Sequence, residues 1–200
     1  MKGLQLWPIE GLGEVRPGDD LGAMLAEGIR RLGVTLEDRD IVVVTQKVVS
    51  KSEGRIVDLA QVQPSPFARA LADRFGKDAR LVELVLGETA RVVRMDRSVW
   101  IMETRHGFVC ANAGVDLSNV EGERAALLPL DPDASASRLR ARLGELCGAE
   151  PAVIISDTFG RPWRMGQTNV AIGVAGMRPL LDYRGTRDDF GAELKVTHIA

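Results

Sequence analysis

The chain has 200 residues, of which 45% are hydrophobic and 27% charged, so it can bury a sizeable core. A net charge of −2 excludes the basic field of a nucleic-acid-binding protein, and no apolar run approaches the roughly 20 residues that cross a bilayer. We therefore expect a cytoplasmic protein without nucleic-acid or membrane partners. Cys110 and Cys147 lack a CxxC partner, so we interpret both as reduced packing residues, with a catalytic thiol as the alternative.

The first half of the chain predicts helices and strands with clear local boundaries. Asp19 or Asp20 can cap a helix whose apolar residues recur at helical spacing as far as Gly33. The β-branched run 41–45 predicts a buried strand, and residues 46–51 extend it or begin a turn. After a linker, the predicted elements are a helix from Ser65 to Gly76, a helix over Leu81–Leu86, and a hairpin of Val99–Thr104 and Phe108–Ala111.

The second half predicts a helix that leads into a buried strand. Asp133 can cap a helix that ends near Gly148. The short apolar run 152–155 predicts the strand, which opens into a polar loop before the chain becomes apolar again at 170–175. With no internal repeat or long linker, the two halves share a core or pack closely. The predicted fold is α+β with a mixed sheet.

A first candidate for chemistry is Asp157, which is separated from the end of the predicted strand by Ser156 alone. A carboxylate there, with the oxygens of Thr158 beside it, suits magnesium or manganese, which prefer hard oxygen ligands. Arg161 and Arg164 add planar donors for a phosphate or a carboxylate. The alternative is that Asp157 only caps the following turn and that the arginines are solvated or paired with acids.

A second candidate is Asp116, which lies among the small residues of 111–120. Little steric bulk surrounds it, so backbone and ligand can approach closely. Asp116 offers another oxygen ligand, and Asn119 a contact to a phosphate or a base edge. An Asx-turn is the alternative for this composition, and it is the stronger interpretation for Ser118. Both aspartates follow predicted strands, so a shared sheet could bring Asp116 and Asp157 together.

The remaining polar features are weaker signals. The turn Gly11–Val15 can present backbone N–H groups to an anion, but it is neither a Walker loop nor a GxGxxG motif. The cationic residues after the first strand, Lys47, Lys51 and Arg55, suit phosphates and are equally typical of a solvated edge. His106 and His198 have no spaced partners, which favours structural roles for both.

Several long motifs occur in one order along almost the whole chain. They are GDDL at 18–21, VVSK at 48–51 followed by EGR at 53–55, HGFVCANAGVD at 106–116, LLPLDPD at 127–133 and SDTFGRPWR at 156–164. Together they resemble the coenzyme F-420-0:L-glutamate ligase family, the gamma-glutamyl ligases of deazaflavin coenzyme biosynthesis. The two motifs that contain Asp116 and Asp157 are the most specific of the set.

The resemblance implies a GTP-dependent ligase that joins glutamate to a deazaflavin precursor through an acyl phosphate and then adds gamma-linked glutamates. Asp116 and Asp157 match ligands of one divalent ion, Mg or Mn, and Thr158 matches a ligand of a second. Nucleotide contacts fall on Leu12, Gly13, Glu14, Val15, Gln46, Lys51 and Asn119. It further implies an α+β fold, an intertwined homodimer and a monovalent potassium ion, but assigns no catalytic side chain.

The chain departs from the family pattern at two places. Leu12-Gly13-Glu14 stands where the family has Leu-Pro-Glu, which loosens the turn but keeps its backbone donors. The sequence stops at Ala200, whereas family members continue with a C-terminal segment, so we expect one ligase domain over residues 1–200 without it. The alternatives are a catalytically incomplete homologue that binds GTP and metal, and a ligase for another carboxylate-bearing cofactor.

Overall fold

A computed structural model describes residues 3–97, 99–161 and 164–200 of the chain. The α-helices are α1 (Leu21–Arg31), α2 (Gln46–Ser52), α3 (Pro66–Phe75), α4 (Ala79–Glu88) and α5 (Pro132–Cys147). The strands are β1 (Ile41–Thr45), β2 (Ile56–Asp58), β3 (Thr89–Met95), β4 (Trp100–Thr104), β5 (Val109–Ala111), β6 (Arg124–Ala126), β7 (Ala152–Arg161), β8 (Arg164–Ala175), β9 (Leu181–Asp182) and β10 (His198–Ile199). Short 3-10 turns occupy Leu59–Gln61 and Asn112–Gly114.

Local capping chemistry explains where the helices begin and end. Asp20 caps α1, because its carboxylate accepts a hydrogen bond from Ala23 N at 2.9 Å. Ser65 caps α3, and Gly76 ends that helix with a left-handed φ of 66°, as predicted. For α5 the predicted cap, Asp133, is wrong. Asp131 is the N-cap instead, because Pro132 takes the first helical position, which needs no N–H donor.

The first core lies on one side of a mixed three-stranded sheet of β1, β7 and β8. β1 pairs with β7 in parallel, and β7 pairs with β8 antiparallel, which confirms the predicted mixed sheet and the α+β class. Helices α2 and α5 pack against this sheet, and α1 packs on α5. The odd-numbered residues Val153, Ile155 and Phe159 of β7 contribute to the first core, because side chains of a strand alternate between its two faces.

The polar loop predicted after the strand is wrong over residues 156–161. β7 continues through that segment, and Ser156, Asp157 and Thr158 pair with residues of β8. The backbone of a polar segment forms a ladder as readily as that of an apolar one, and only its side chains lack the pattern of a buried strand. Asp157 therefore lies within a strand and not in the turn that follows one.

A second core lies under the antiparallel sheet β3–β4–β5, where α3 and α4 pack on each other. Its largest buried side chains are Trp100 and Met102 of β4. The predicted hairpin is confirmed, since β4 and β5 pair antiparallel. Residues 46–51, predicted as strand extension or turn, instead form most of α2, because Gln46, Val49 and Ser50 bury one helical face. No helix within the described ranges is both long and apolar enough to cross a membrane.

Candidate functional site

The candidate site begins where β1 ends and α2 starts. Lys47 and Lys51 stand four residues apart, so they lie on one side of the helix. The Lys47 ammonium contacts the Asp116 carboxylate and donates to Ser118 O at 2.6 Å and to Ser118 Oγ at 2.8 Å. The Lys51 ammonium pairs with Glu14 at 2.5 Å. This side of α2 therefore connects the Gly11–Val15 turn to the Asp116 turn through two lysines.

A run of left-handed backbone delivers Asp116 to this position. Asn112, Ala113 and Gly114 have φ values of 50°, 53° and 76°. Glycine is required at 114, because a Cβ there would lie 2.7 Å from Cγ and Cδ1 of buried Leu128. Two backbone hydrogen bonds between Asp116 and Ala126 of β6 then fix the turn. Asp116 is thus held by the protein interior on one side and exposes part of its carboxylate on the other.

The ionisation of Asp116 is governed by its immediate partners. Burial opposes the charged form, but hydrogen bonds from Lys47 and from the backbone and hydroxyl of Ser118 outweigh it and hold the Asp116 pKa below its usual value. Ser118 N donates to Oδ1 at 2.8 Å, which is the Asx-turn anticipated as an alternative. The Asx-turn is not the only interaction of this carboxylate, which also forms an ion pair with Lys47.

Asp157 reaches the same place from β7, on the face that carries the first core. Burial is the main cause that raises the Asp157 pKa, and the negative charge of Asp116 raises it further. A hydrogen bond from the Thr158 backbone and the charge of Lys47 partly oppose this rise. Asp116 and Asp157 therefore lie close enough for their charges to interact. No shared sheet joins them, since Asp116 bridges to β6 and Asp157 belongs to the β1–β7–β8 sheet.

Thr158 turns away from its neighbour Asp157. Its side chain is exposed, and its hydroxyl donates to Asn169 Oδ1 at 2.7 Å across the β7–β8 ladder. Consecutive side chains of a regular strand leave on opposite faces. The Thr158 hydroxyl thus lies on the face opposite the first core, whereas Asp157 faces α2.

Four of the residues that the resemblance assigns to the nucleotide lie in the turn of residues 12–15. In the turn, Leu12 packs partly against the first core, Val15 is buried, and Gly13 adopts a φ of 73°. The N–H groups of residues 12–15 donate to no atom of the described ranges, so this turn offers its backbone.

The other assigned residues differ in accessibility. Glu14 reaches the site through its pair with Lys51, and Asn119 is exposed one residue beyond Ser118 with a φ of 53°. Gln46 is buried, and its amide nitrogen donates to Ser50 Oγ at 2.6 Å and to Leu127 O at 3.2 Å. Gln46 therefore supports the start of α2 from inside.

Several other residues have structural surroundings. Arg55 donates to Leu128 O at 2.9 Å and pairs with Glu88 at 3.0 Å, so its guanidinium ties β2 to α4. His106 Nε2 lies 2.9 Å from Pro129 O and its ring stacks on Phe108, consistent with the structural role predicted for it. His198 pairs with Asp182 at 3.4 Å in the β9–β10 segment. The side chains of Arg161 and Arg164 lie outside the described part of the chain.

Two partners of the candidate residues were not predicted from the sequence, Lys47 as the ion-pair partner of Asp116 and Asn169 as the acceptor for Thr158. Lys47 was predicted only as a cation suited to phosphate. The signal for Lys47 was its spacing from Lys51, since two lysines at i and i+4 share a helix side once residues 46–52 are assigned as helix. Asn169 carries no comparable local signal, because its contact with Thr158 depends on the register of β7 and β8.

The oxygen donors of this site are few for a divalent cation. Within residues 3–97, 99–161 and 164–200, no three His, Cys, Asp or Glu side chains form a cluster able to hold a metal. Two carboxylates are nevertheless enough for Mg²⁺ or Mn²⁺, because Mg²⁺ in particular keeps several waters and takes further oxygens from substrate phosphates. Asp116 and Asp157 would supply the protein oxygens, and Lys47 offsets part of their negative charge.

Comparison with known proteins identifies the family of the chain. A family model described as F420-0:Gamma-glutamyl ligase matches residues 11–200. Relatives named Coenzyme F420:L-glutamate ligase are 46% identical in Methanothermobacter thermautotrophicus, 48% in Methanopyrus kandleri and 42% in Archaeoglobus fulgidus. The alignments cover 97–99% of this chain and 76–79% of the relatives. The chain therefore belongs to the F420-0:gamma-glutamyl ligase family.

Proposed function

We propose that the chain is a GTP-dependent ligase that joins L-glutamate to the deazaflavin precursor F-420-0 and then extends it with gamma-linked glutamates. Family membership and the name that the three relatives share support the overall reaction. The observation that carries the proposal is the convergence of two carboxylates on Lys47 of α2: Lys47 contacts Asp116, and the charges of both residues act on Asp157. Adjacent carboxylates and ammonium groups are the components with which proteins bind a nucleotide triphosphate together with its metal.

Amide formation requires activation, because a carboxylate is a poor electrophile. In the proposed sequence, a carboxylate oxygen of the precursor attacks the γ-phosphorus of GTP, the bond to the β-phosphate oxygen breaks, and GDP leaves. The glutamate amine then attacks the acyl carbon of the resulting acyl phosphate, inorganic phosphate departs with the bonding pair, and the amine loses a proton.

The chain's own residues supply binding and charge for these steps. Lys47 and Lys51 offer ammonium groups to phosphate oxygens, and the backbone of 12–15 offers further donors. Asp116 and Asp157 would hold one divalent ion, and Thr158 would contribute to a second. A bound Mg²⁺ or Mn²⁺ neutralises charge on the phosphates. Asn119 completes the proposed nucleotide surroundings, and Gln46 supports them from inside α2. A potassium ion and a homodimer are part of the same proposal.

The test is a reconstituted reaction with F-420-0, L-glutamate, GTP and Mg²⁺ or Mn²⁺. Mass spectrometry should detect product heavier by glutamate residues, with GDP and phosphate released in equal amounts. Asp116→Asn should lower kcat by at least about 100-fold, as expected when a group that organises phosphoryl transfer is lost. Asp73→Asn, on the exposed side of α3, is the matched control and should retain full activity.

The outcomes of this experiment separate the competing functions. GTP binding without turnover by a folded protein would refute ligase activity and identify a catalytically incomplete homologue. Glutamylation of another acid from a panel, with F-420-0 unchanged, would keep the chemistry and replace the substrate. Product formation with ATP but not GTP would contradict the proposed nucleotide.

A further inference from the structure

The ammonium group of Lys47 has a full set of hydrogen-bond partners within the protein. Its ammonium has three protons, and three acceptors surround it: the Asp116 carboxylate, Ser118 O at 2.6 Å and Ser118 Oγ at 2.8 Å. The side chain is only 17% exposed. All of its hydrogen-bonding capacity is therefore used within the protein.

The position of the ammonium explains why so many acceptors are provided. Lys47 contacts Asp116, and its charge also lowers the Asp157 pKa against the effect of burial. Two neighbouring carboxylates in a half-buried site repel each other unless a cation lies near both. Lys47 is the cation in this position.

We infer that Lys47 is a built-in counter-ion that a divalent cation displaces from Asp116, which releases its ammonium to contact the phosphate oxygens of the nucleotide. The inference rests on the proposed function, because it takes Asp116 and Asp157 as the metal-binding carboxylates. A divalent ion and an ammonium cannot share one carboxylate oxygen without strong repulsion. The four-carbon stem of lysine permits the movement, since it is flexible and ends in a compact charge.

Lys51 provides an internal contrast on the same side of the same helix. Its ammonium pairs with Glu14, whose side chain is largely exposed, and contacts neither aspartate among the described hydrogen bonds. A divalent ion at Asp116 should therefore leave Lys51 in place. The two lysines share helix, charge and low exposure, so they differ chiefly in what they neutralise.

The first experiment is calorimetry with Mn²⁺ alone on the full chain. Lys47→Met removes the competing cation and keeps an unbranched apolar stem, so it should tighten Mn²⁺ binding about tenfold. Lys51→Met should change the affinity less than about twofold, which controls for the loss of one positive charge near the site. Unchanged or weaker Mn²⁺ binding by Lys47→Met, with Lys51→Met unchanged, would overturn the inference.

The second experiment uses the wild-type protein and is independent of how the variants fold. Reductive methylation with formaldehyde, read by mass spectrometry, reports how accessible each lysine amine is. Saturating Mn²⁺ should increase the labelling rate of Lys47 at least threefold and leave that of Lys51 unchanged. An unchanged Lys47 rate in Mn²⁺-saturated protein contradicts displacement.

Asp116→Asn distinguishes failure of this inference from failure of the proposed metal site. If the variant loses Mn²⁺ binding while Lys47→Met binds as wild type, the carboxylate site stands and the displacement of Lys47 is refuted. If neither wild type nor Lys47→Met binds Mn²⁺, the proposed metal role of Asp116 and Asp157 is refuted, and the inference about Lys47 is refuted as well. If only Lys47→Met binds Mn²⁺, competition by Lys47 is supported directly.

Discussion

Replacement of Gly114 by alanine should destabilise the protein far more than its size suggests. The residue has a φ of 76°, where an L side chain costs roughly 1–2 kcal/mol. The new Cβ would also lie 2.7 Å from two carbons of Leu128, whereas carbon atoms pack best at about 3.5–4.0 Å. Leu128 is only 1% exposed and has nowhere to move, so overpacking adds about 1–3 kcal/mol.

Gly107 is the matched control, because it separates the two costs. It has a φ of 88° in the turn between β4 and β5, and a Cβ there would meet no atom within 4 Å. The free energy of unfolding of Gly107→Ala should therefore fall only by the conformational cost, about 1–2 kcal/mol. That of Gly114→Ala should fall by about 2–5 kcal/mol in total. For a chain of this length, each kcal/mol lowers Tm by about 2–4 °C.

Urea unfolding followed by tryptophan fluorescence measures both free energies under identical conditions. Equal losses for the two variants would refute the close contact between residue 114 and Leu128. A second measurement links the turn to the site: Gly114→Ala should weaken Mn²⁺ binding, because Asp116 lies only two residues further along the same turn. Gly107→Ala should bind Mn²⁺ as the wild type does.

Three further outcomes are expected. Burial raises the Asp157 pKa, so the contribution of this residue to stability should be lost as pH rises above about 4. Without added metal, Asp157→Asn should therefore unfold at higher urea than the wild type at pH 7, and an unaltered midpoint would contradict the assignment. Burial raises the Cys110 pKa to about 11, so iodoacetamide at pH 8 should alkylate it over about 100-fold more slowly in the folded than in the unfolded chain, as peptide mass spectrometry would show. Asp131→Ala should cost about 1 kcal/mol in urea unfolding through loss of the α5 cap, and a neutral effect would restore Asp133 to that role.

The sequence was most informative where local chemistry decides the structure. The α3 helix shows this, because Ser65, Pro66 and Gly76 each act within one turn of the residues that they cap. Residues 46–52 show the opposite case. Their β-branched valines and polar neighbours are ambiguous between strand and helix, and the burial of Val49 against the first core decides the outcome.

In the candidate site, too, local features could be predicted from the sequence and contacts between distant residues could not. Asp116 and Asp157 could be proposed from motifs, because the residues around each carboxylate are contiguous in the chain. The contact between Lys47 and Asp116 joins positions 69 residues apart, and no spacing rule predicts it. The expected shared sheet failed for a related reason, since the Asp116 turn reaches α2 through β6 and not through a strand beside β7.

Side chains of β7 alternate between the two faces of the sheet, so neighbouring residues of this strand cannot all bind the same ion through their side chains. Asp157 leaves the strand on the face of α2 and Asp116, whereas the Thr158 hydroxyl leaves on the other face and bonds Asn169. An ion held by both aspartates therefore lies on the wrong side of the strand for that hydroxyl. If Thr158 contributes to a second ion close to the first, the remaining oxygen of the residue is its main-chain carbonyl, because the backbone lies in the plane of the sheet and is not confined to one face. The proposed role of Thr158 is thus geometrically consistent as a backbone ligand, and a side-chain role would place the two ions on opposite faces of the sheet.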